Sequence, residues 1–336
     1  MNYSLGNTLS RGGGSLNPDG LSLDLQFATD KSLTARKGPT PTFTRASTAT
    51  FIGSNGLIQS AAINAARFDH DPVTLACKGL LIEESRTNLV FPSATLTTQT
   101  RTVTAVAHTL SFYGTGTVVL SGAHVATVTG TGAYPTRTTL TFTPTAGSLI
   151  LTVTGSVTEA QLEAGSFATS YIPTTTASVV RSQDVCSITG SAFTSFYNAS
   201  EGTINAIGIL NTTNINAAPE VFKVNDGTNN NRIQIGMTNV PSEAVRPVLV
   251  AAGVLTYNSV MGTATIGVER KIATAYKSND AISVFNGTLG TQGTSVTIPT
   301  GINQALIAVS FGNGTIASLR YFKKRLPNAK LQTLTT

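Results

Sequence analysis

The residues with the clearest chemical potential lie in one stretch, "RFDHDPVTLACKGLLIEESRTNLV". Asp69, His70 and Asp71 are adjacent in it and could form a metal site or an acid/base cluster. Glu83 and Glu84 follow and could supply the pair of carboxylates that glycoside hydrolysis requires. The sequence therefore raises the hypothesis of a catalytic site in this stretch.

The same stretch also has a structural interpretation, which we favour. Side chains alternate between faces along an extended segment, so the two aspartates would share one face and the histidine would point to the other. Pro72 follows and favours a turn, in which Asp side chains commonly accept hydrogen bonds from backbone N–H groups. Arg67 and Arg86 are the expected ionic partners. Because no nucleophile or second histidine accompanies the cluster, we predict no catalytic residue, no metal site and no enzymatic activity.

Turns in the second half of the chain offer hydrogen-bonding groups for a ligand. The segment "NDGTNNNR" has the Asn, Asp and Gly residues of a hairpin turn, and its oxygens are also of a type that binds calcium. We favour the plain turn, because calcium sites normally need several oxygen ligands arranged together. A second turn, "SND", offers further polar groups, and Tyr257 and Tyr276 are candidates for stacking on a sugar. Most tyrosines in such sandwiches pack in the core instead, with the hydroxyl at its edge. The predicted ligand-binding residues are Asp226, Asn229, Asn230, Arg232, Tyr257, Tyr276 and Asp280.

The composition argues against several classes of function. Charged residues make up 11% of the 336 residues, against about 25% in an average globular protein, so neutral polar residues must cover much of the surface. Such a surface is easier to desolvate than a charged one and favours extensive subunit contacts. The net charge is +6, but the basic residues are scattered apart from "FKKRL", which argues against a nucleic-acid partner. Cys77 and Cys186 form no zinc-binding pattern, so we expect two free thiols and no cofactor.

The first twenty residues, "MNYSLGNTLSRGGGSLNPDG", lack the pattern of a signal peptide, and no run of about 20 apolar residues occurs in the sequence. We therefore expect a protein that does not insert into a membrane or enter a secretory route by itself. The same twenty residues are rich in Gly, Ser and Asn and can hardly pack alone. They are expected to form an extended arm that becomes ordered against a partner.

The periodicity is almost wholly that of β-strands. The segment "RTVTAVAHTLSFYGTGTVVLSG" and its continuation alternate apolar with small polar residues and are interrupted by Gly and Pro. Short strands at close, even spacing indicate a sandwich or a barrel. A second series runs from "EGTINAIGIL" to "GNGTIASLRYFKKRL". The only predicted helix lies in "LPNAKLQTLT", where Pro327 and Asn328 set its start.

The predicted fold class is all-β, with two antiparallel β-sandwich (jelly-roll) domains preceded by an extended N-terminal arm and a small β framework segment. The predicted boundaries are 1–20 for the arm, 21–92 for the framework segment, 93–178 for the first sandwich and 190–336 for the second. The Thr- and Ser-rich segment "AGSFATSYIPTTTASVVRSQDV" is the expected crossing between the two sandwiches.

Three segments carry a resemblance: "LSLDLQFATDKSL", "PTFTRASTATFIGSNGLIQSAAINAARFDHDPVTLACKGLLIEESRTNLV" and "AQLEAGSFATSYIPT". Together they resemble a recurrent family of tailed-bacteriophage structural proteins, which includes head-fibre, tail-fibre and spike subunits. The resemblance implies a carbohydrate-binding-module-like jelly roll in the middle of the chain. The last part, from "FTSFYNASEGTINAIGIL" to "LRYFKKRLPNAKLQTLT", is similar to concanavalin-like or laminin-G-like lectin domains. The chain has no tryptophan, the best ring for sugar stacking, which argues against sugar binding by the jelly roll.

The resemblance implies a non-enzymatic virion surface protein, namely a head or tail fibre, spike or decoration subunit that binds host-surface glycans. Two other interpretations stay open: a purely structural capsid cement or decoration protein, and, with less support, a polysaccharide depolymerase. Fibre and spike subunits of this kind are usually trimers, so a homotrimer is expected. The expected partners are other virion proteins, bound through the N-terminal arm. The expected location is the virion, assembled in the host cytoplasm.

Overall fold

The computed structural model of the protein describes residues 19–211, 219–237, 244–263, 265–309 and 312–336. Strands make up about 51% of the chain and helices about 6%, so the protein is all-β, as predicted. The arm predicted at residues 1–20 lies almost wholly outside the described residues.

The elements follow one another along the chain in three groups. The first group is β1 (Leu21–Leu25), α1 (Phe27–Asp30), β2 (Thr42–Thr44), β3 (Ala49–Ile52), β4 (Ile58–Ala61), β5 (Phe68–His70), β6 (Cys77–Glu83) and β7 (Arg86–Asn88). The second is β8 (Gln99–Val103), β9 (His108–Tyr113), β10 (Thr117–Gly122), β11 (Ala126–Thr129), β12 (Thr138–Phe142), β13 (Gly147–Thr154) and β14 (Thr158–Ala164). The third is β15 (Val179–Arg181), β16 (Val185–Thr189), α2 (Gly190–Phe196), β17 (Glu201–Leu210), β18 (Glu220–Asn225), β19 (Arg232–Met237), β20 (Ala244–Ala251), β21 (Val254–Asn258), β22 (Met261–Thr263), β23 (Glu269–Lys277), β24 (Asp280–Phe285), β25 (Thr288–Leu289), β26 (Gln304–Val309), β27 (Asn313–Phe322) and α3 (Asn328–Thr335).

Two eight-stranded sheets form the large sandwich. The first has the order β25-β24-β23-β17-β27-β6-β5, with β1 paired to β27. The second has the order β2-β16-β26-β18-β19-β20-β21, with β22 paired to β20. Every pairing in these sheets is antiparallel. The two inner faces enclose one apolar core, in which Ile204, Phe222 and Leu249 are buried.

The framework segment is part of this sandwich, which corrects the predicted boundaries. Strands β1, β5 and β6 complete the first large sheet, and β2 forms an edge of the second. Leu80 and Ile82 on β6 lie in the same buried cluster as Ile204 on β17. The sandwich predicted at 190–336 therefore requires strands from the first quarter of the chain and also β16, which ends at Thr189 just before the predicted start. Local alternation shows that a strand has a buried face, but it does not identify the distant strand that pairs with it.

The jelly roll is an insertion between β7 and β15. These two strands pair with each other in antiparallel fashion, so the chain enters and leaves the jelly roll at one place. The jelly roll consists of a four-stranded sheet, β11-β10-β13-β8, and a three-stranded sheet, β12-β9-β14. It has its own apolar core, which includes Leu110, Leu120 and Leu162. Its strands lie within the range predicted for the middle domain.

The helices are short and cover the margins of the large sandwich. The C-terminal helix α3 begins at Asn328, as predicted, and buries Leu331 against β23 and β24. Helix α2 was not predicted, and it buries Phe193 and Phe196 on one side at a spacing of three residues. Among the described residues, no helix is long and apolar enough to cross a membrane.

Candidate functional site

Glu83, one of the catalytic candidates, lies at the centre of a buried ionic network. Its Oε2 is 2.7 Å from a guanidinium nitrogen of Arg67 and 2.7 Å from one of Arg181. Ser170 donates its backbone N–H and its hydroxyl to the two carboxylate oxygens, at 2.7 and 2.6 Å. The side chains of Glu83 and Arg67 are inaccessible to solvent. A substrate therefore cannot reach this carboxylate.

Asp184 extends the same network. Its Oδ1 accepts a hydrogen bond from Arg45 at 3.1 Å, and its Oδ2 accepts from Arg67 at 2.5 Å and from the Glu83 N–H at 2.8 Å. Burial alone would raise the pKa of Glu83, but the attraction of Arg181 and Arg67 outweighs it and lowers this pKa to about 2. The network therefore joins the framework segment to β15, the strand that follows the jelly roll, since Glu83 lies on β6 and Arg181 lies on β15.

The structure corrects the predicted ionic partners. Arg67 pairs with Glu83 and Asp184 rather than with the aspartates of its own stretch. Arg86 pairs with its neighbour Glu84. The partner Asp184 lies 117 positions from Arg67 in the sequence, a separation at which local patterns do not identify pairs. The network residues that our sequence reasoning missed are Arg45, Ser170, Arg181 and Asp184.

Asp69 and His70 both contact the backbone of Ile52 on β3, contrary to the expected alternation of faces. Asp69 accepts a hydrogen bond from the Ile52 N–H at 2.8 Å, and His70 Nδ1 lies 3.2 Å from the Ile52 carbonyl oxygen. The register of β5 against β6 shifts between these two residues, and such a bulge redirects side chains. Burial raises the pKa of Asp69 to about 6. These contacts attach β5 to β3 and give both residues a structural role.

Asp71 stabilises the turn after Pro72, as predicted. Its Oδ1 accepts hydrogen bonds from the backbone N–H groups of Val73 and Thr74, at 3.0 and 2.8 Å. The hydrogen bond from Thr74, followed by that from Val73, lowers the pKa of this carboxyl group. The acidic residues of this stretch therefore have three structural roles. Glu83 belongs to the buried ionic network, Asp69 attaches β5 to β3, and Asp71 stabilises a turn.

No metal centre is visible in the described part of the chain. It contains no group of three or more His, Cys, Asp or Glu side chains that could hold a metal ion. Cys77 and Cys186 are free thiols, as predicted, and Cys186 is buried. Burial raises the pKa of the Cys186 thiol to about 12, which keeps it protonated and unreactive.

The turn between β18 and β19 is a preorganised polar surface at one end of the large sandwich. Asp226 accepts hydrogen bonds from the Thr228 N–H and hydroxyl, at 2.9 and 2.6 Å, and from Asn231 Nδ2 at 2.9 Å. Asn231 Oδ1 accepts from the Ala252 N–H at 2.9 Å, which attaches the β20–β21 turn. Because the Asp226 oxygens already accept these bonds, the geometry agrees with the predicted hairpin turn rather than with calcium ligation.

The remaining residues of this turn are also held in place. Lys223 Nζ donates to Asn229 Oδ1 at 2.8 Å, and the Arg232 guanidinium donates to the Asn229 carbonyl oxygen. The Gly253 N–H donates to the Asn230 carbonyl oxygen at 2.8 Å. Asn229 and Asn230 are nevertheless exposed to solvent. The structure thus brings several predicted ligand-binding residues together and adds the β20–β21 turn, which sequence reasoning missed.

Tyr257 and Tyr276 are buried, so their predicted role as sugar-stacking residues is wrong. Their exposed fractions are 4% and 0%. The Tyr276 hydroxyl lies 2.9 Å from that of Tyr321, and the Tyr257 hydroxyl donates to Ser283 Oγ at 3.3 Å. Both rings belong to the core between the two large sheets. Such tyrosines contribute apolar area, and their hydroxyl groups are hydrogen-bonded inside the protein.

Asp280 has partners of its own and does not join the polar turn. Its Oδ1 accepts a hydrogen bond from Arg325 at 3.0 Å and from Gln292 at 3.2 Å. The Asp280 turn and the Asp226 turn lie at the same end of the sandwich, and the segment 296–303 connects them through backbone hydrogen bonds. The Asp280 carboxylate therefore stabilises that end of the fold rather than contributing to the exposed polar surface.

The polar face of the three-stranded sheet of the jelly roll is covered over two of its strands, β9 and β14. Ser111, Gln161 and Glu163 are polar side chains on its strands, and all three are 0% exposed. The chain that follows β14 covers them: the Thr169 N–H donates to Glu163 at 3.0 Å and the Ile172 N–H donates to Gln161 at 2.6 Å. Thr139 and Thr141 on the edge strand β12 stay exposed on the same face. A sugar cannot reach Gln161 or Glu163 without displacing the protein's own chain.

Comparisons with known proteins give only partial structural similarity. No protein-family model matches the sequence, and no curated protein matches it significantly. The CBM40 of the Ruminococcus gnavus IT-sialidase, bound to alpha2,3 sialyllactose, is similar with a TM-score of 0.35 and 14% identity over 41% of this chain and 84% of that chain. Domain 4 of AbnA, an extracellular arabinanase from Geobacillus stearothermophilus, has a TM-score of 0.38 and 10% identity over 51% of this chain and 84% of that chain. The receptor binding domain of botulinum neurotoxin mosaic serotype C/D has a TM-score of 0.37 and 9% identity over 45% of this chain and 39% of that chain.

Proposed function

We propose that the protein is a non-enzymatic surface subunit of a tailed-bacteriophage particle that binds a host-surface glycan through the turn 226–232 of its large sandwich. The resemblance carried by "FTRAST", "RFDHDP" and "QLEAGSFATSYIPT" supports the particle location. The observation that carries the binding role is the polar turn, which is hydrogen-bonded into one shape while its central side chains stay exposed.

The chemistry of this turn is suited to a sugar. A glycan presents hydroxyl groups that both donate and accept hydrogen bonds, and the exposed side-chain amides of Asn229 and Asn230 offer the same two capacities. Because the turn is already ordered, binding does not have to include the cost of fixing its backbone. A rigid sandwich with functional loops at one end is a common arrangement for recognition.

The burial of the acidic candidates supports a binding role rather than hydrolysis. Glycosidases need two carboxyl groups on either side of an accessible groove. Glu83 is inaccessible and paired with two arginines, and Glu163 is 0% exposed. Asp71 is engaged in a turn. None of these three carboxylates is arranged as a general acid beside a substrate groove.

A single turn of this size would bind weakly, so copy number matters. Several copies on one particle raise the effective concentration and give avidity gains of about 10² to 10⁴. The expected behaviour is therefore weak binding by the free protein and firm binding by a multivalent display.

The test uses the full chain, because the large sandwich includes strands from both halves of the sequence. Full-length protein, free and coupled to nanoparticles, is applied to a glycan array and to host cells. The variant Asn230→Ala removes an exposed amide from the turn, and Asn258→Ala removes an exposed amide elsewhere on the same sheet. Loss of one neutral hydrogen bond is expected to weaken binding about tenfold in Asn230→Ala and not in the control.

Three other outcomes would contradict the proposal. Equal binding by both variants would place the glycan elsewhere on the molecule. Release of reducing ends from host polysaccharide would show an enzyme. Absence of binding by the multivalent display, together with unstable particles when the protein is omitted, would favour a cement protein.

A further inference from the structure

The outward face of the four-stranded jelly-roll sheet is a regular array of small, neutral side chains. Its outward positions hold only Thr, Ser, Val and Ile. Thr129, Thr117 and Thr154 align across β11, β10 and β13, and the next row repeats the pattern with Val119 at its centre. This face, which we call the threonine face, is exposed to solvent along all four strands.

The threonine face is free of charge although charged residues flank it in the sequence. Between Arg101 and Glu159, the only residue counted as charged is Arg137. Arg101 lies over the ring of Phe91, 3.5 Å from its centroid, and Arg137 donates to Ser111 on the other sheet. Neither guanidinium therefore contributes a charge to the face.

Burying the side chains of the threonine face costs little conformational entropy and few hydrogen bonds to water. Thr, Val and Ile are branched at Cβ and already restricted in χ1, so ordering them costs less entropy than ordering Lys, Glu or Arg. The Thr117 and Thr129 hydroxyls lie 3.2 Å apart and hydrogen-bond to each other, so they do not depend on water for a partner. Val119 and Ile150 are 39% and 38% exposed, and removing their apolar area from water would stabilise a contact.

We propose that the threonine face binds the threonine face of a second copy of this chain. In a two-fold contact each surface meets itself, so any charge on the face would meet a like charge. The threonine face avoids this conflict because it has no charge. Such a contact is two-fold and is therefore separate from the three-fold contact expected for fibre subunits.

The size of the threonine face sets the strength of this association. Four strands spaced about 4.8 Å apart, each exposing about 20 Å of its length, give about 400 Å² per copy. A pair would bury about 800 Å², which is below the roughly 1,200 to 2,000 Å² of stable complexes. The contact is therefore weak, and it forms at high local concentration, as between neighbouring copies on a particle.

The experiment is sedimentation velocity of the full chain over a wide concentration range. The sedimentation coefficient of the wild-type protein is expected to rise with concentration through a step that doubles the mass. Val119→Lys places two like charges at the centre of the contact and is expected to weaken that step at least tenfold. Thr127→Lys, on the facing position of β11, is expected to act in the same way.

Val254→Lys is the matched control, since Val254 is also an exposed strand valine but lies on the large sandwich. It is expected to associate as the wild type does. Circular dichroism shows whether each variant keeps the native fold. The proposal is overturned if the wild-type coefficient does not change with concentration, or if folded Val119→Lys and Thr127→Lys proteins associate as strongly as the control.

Discussion

The substitution Glu83→Gln tests whether the buried network has a structural rather than a catalytic role. Glutamine keeps the volume of the side chain and one acceptor oxygen, but it removes the charge between Arg67 and Arg181. Arg67 then retains only Asp184 as an anionic partner. Breaking a buried pair by removing one partner costs about 3–5 kcal/mol, because the remaining charge is left buried without compensation.

The neighbouring residue supplies the control. Glu84 pairs with Arg86, but its side chain is 37% exposed, so Glu84→Gln is expected to cost less than about 1 kcal/mol. The effect of Glu83→Gln also depends on pH. The pKa of Glu83 is about 2 in the folded protein and has an ordinary value of 4.5, so this stabilisation is present above about pH 4.5 and disappears as the pH falls toward 2.

Urea unfolding followed by near-ultraviolet circular dichroism measures both variants, with tyrosine as the reporter because the chain has no tryptophan. At pH 7 the free energy of unfolding should be several kcal/mol lower for Glu83→Gln and nearly unchanged for Glu84→Gln. The gap between wild type and Glu83→Gln should close between about pH 4.5 and 2. Equal losses in the two variants, or a gap that does not change over this range, would refute the network account.

Three further predictions concern other parts of the chain. The pKa of Asp69 is raised from 3.8 to about 6, so the wild-type protein loses stability as the pH rises between these two values. Asp69→Asn removes this loss. It should raise the free energy of unfolding, measured by urea unfolding, by about 2–3 kcal/mol at pH 7 and by little at pH 4. The fragment 190–336 lacks β1, β2, β5, β6 and β16 and should give no cooperative thermal transition on its own, whereas the full chain should. Limited proteolysis followed by mass spectrometry should show cleavage within residues 174–182, where most side chains are exposed, before any cut inside residues 118–153.

The all-β class and the C-terminal helix could be predicted because their signals are local. Alternating residues indicate a strand wherever they occur, and Pro327 with Asn328 indicates a helix start without reference to the rest of the chain. The turn at Asp226 was recognisable for the same reason, since Asn, Asp and Gly form such turns through their own backbone preferences.

The pairing of distant strands and charges could not be predicted in this way. Strand β6 pairs with β27, and Arg67 pairs with Asp184. Nothing in the sequence near β6 or near Arg67 specifies these partners. Tyrosine has an apolar ring and a polar hydroxyl, so its composition is compatible with a core position as well as with a binding surface. The sequence therefore does not decide between a stacking role and a core position for Tyr257 and Tyr276, and the structure places both in the core.

The most direct test of the central claim is a crystal structure of the full chain with the glycan that binds best on the array. The account predicts electron density for the sugar at the turn 226–232, with its hydroxyl groups within about 3.2 Å of the side chains of Asn229 and Asn230. Sugar density on the jelly roll, or an unoccupied turn in crystals grown at a glycan concentration that saturates binding in solution, would contradict it.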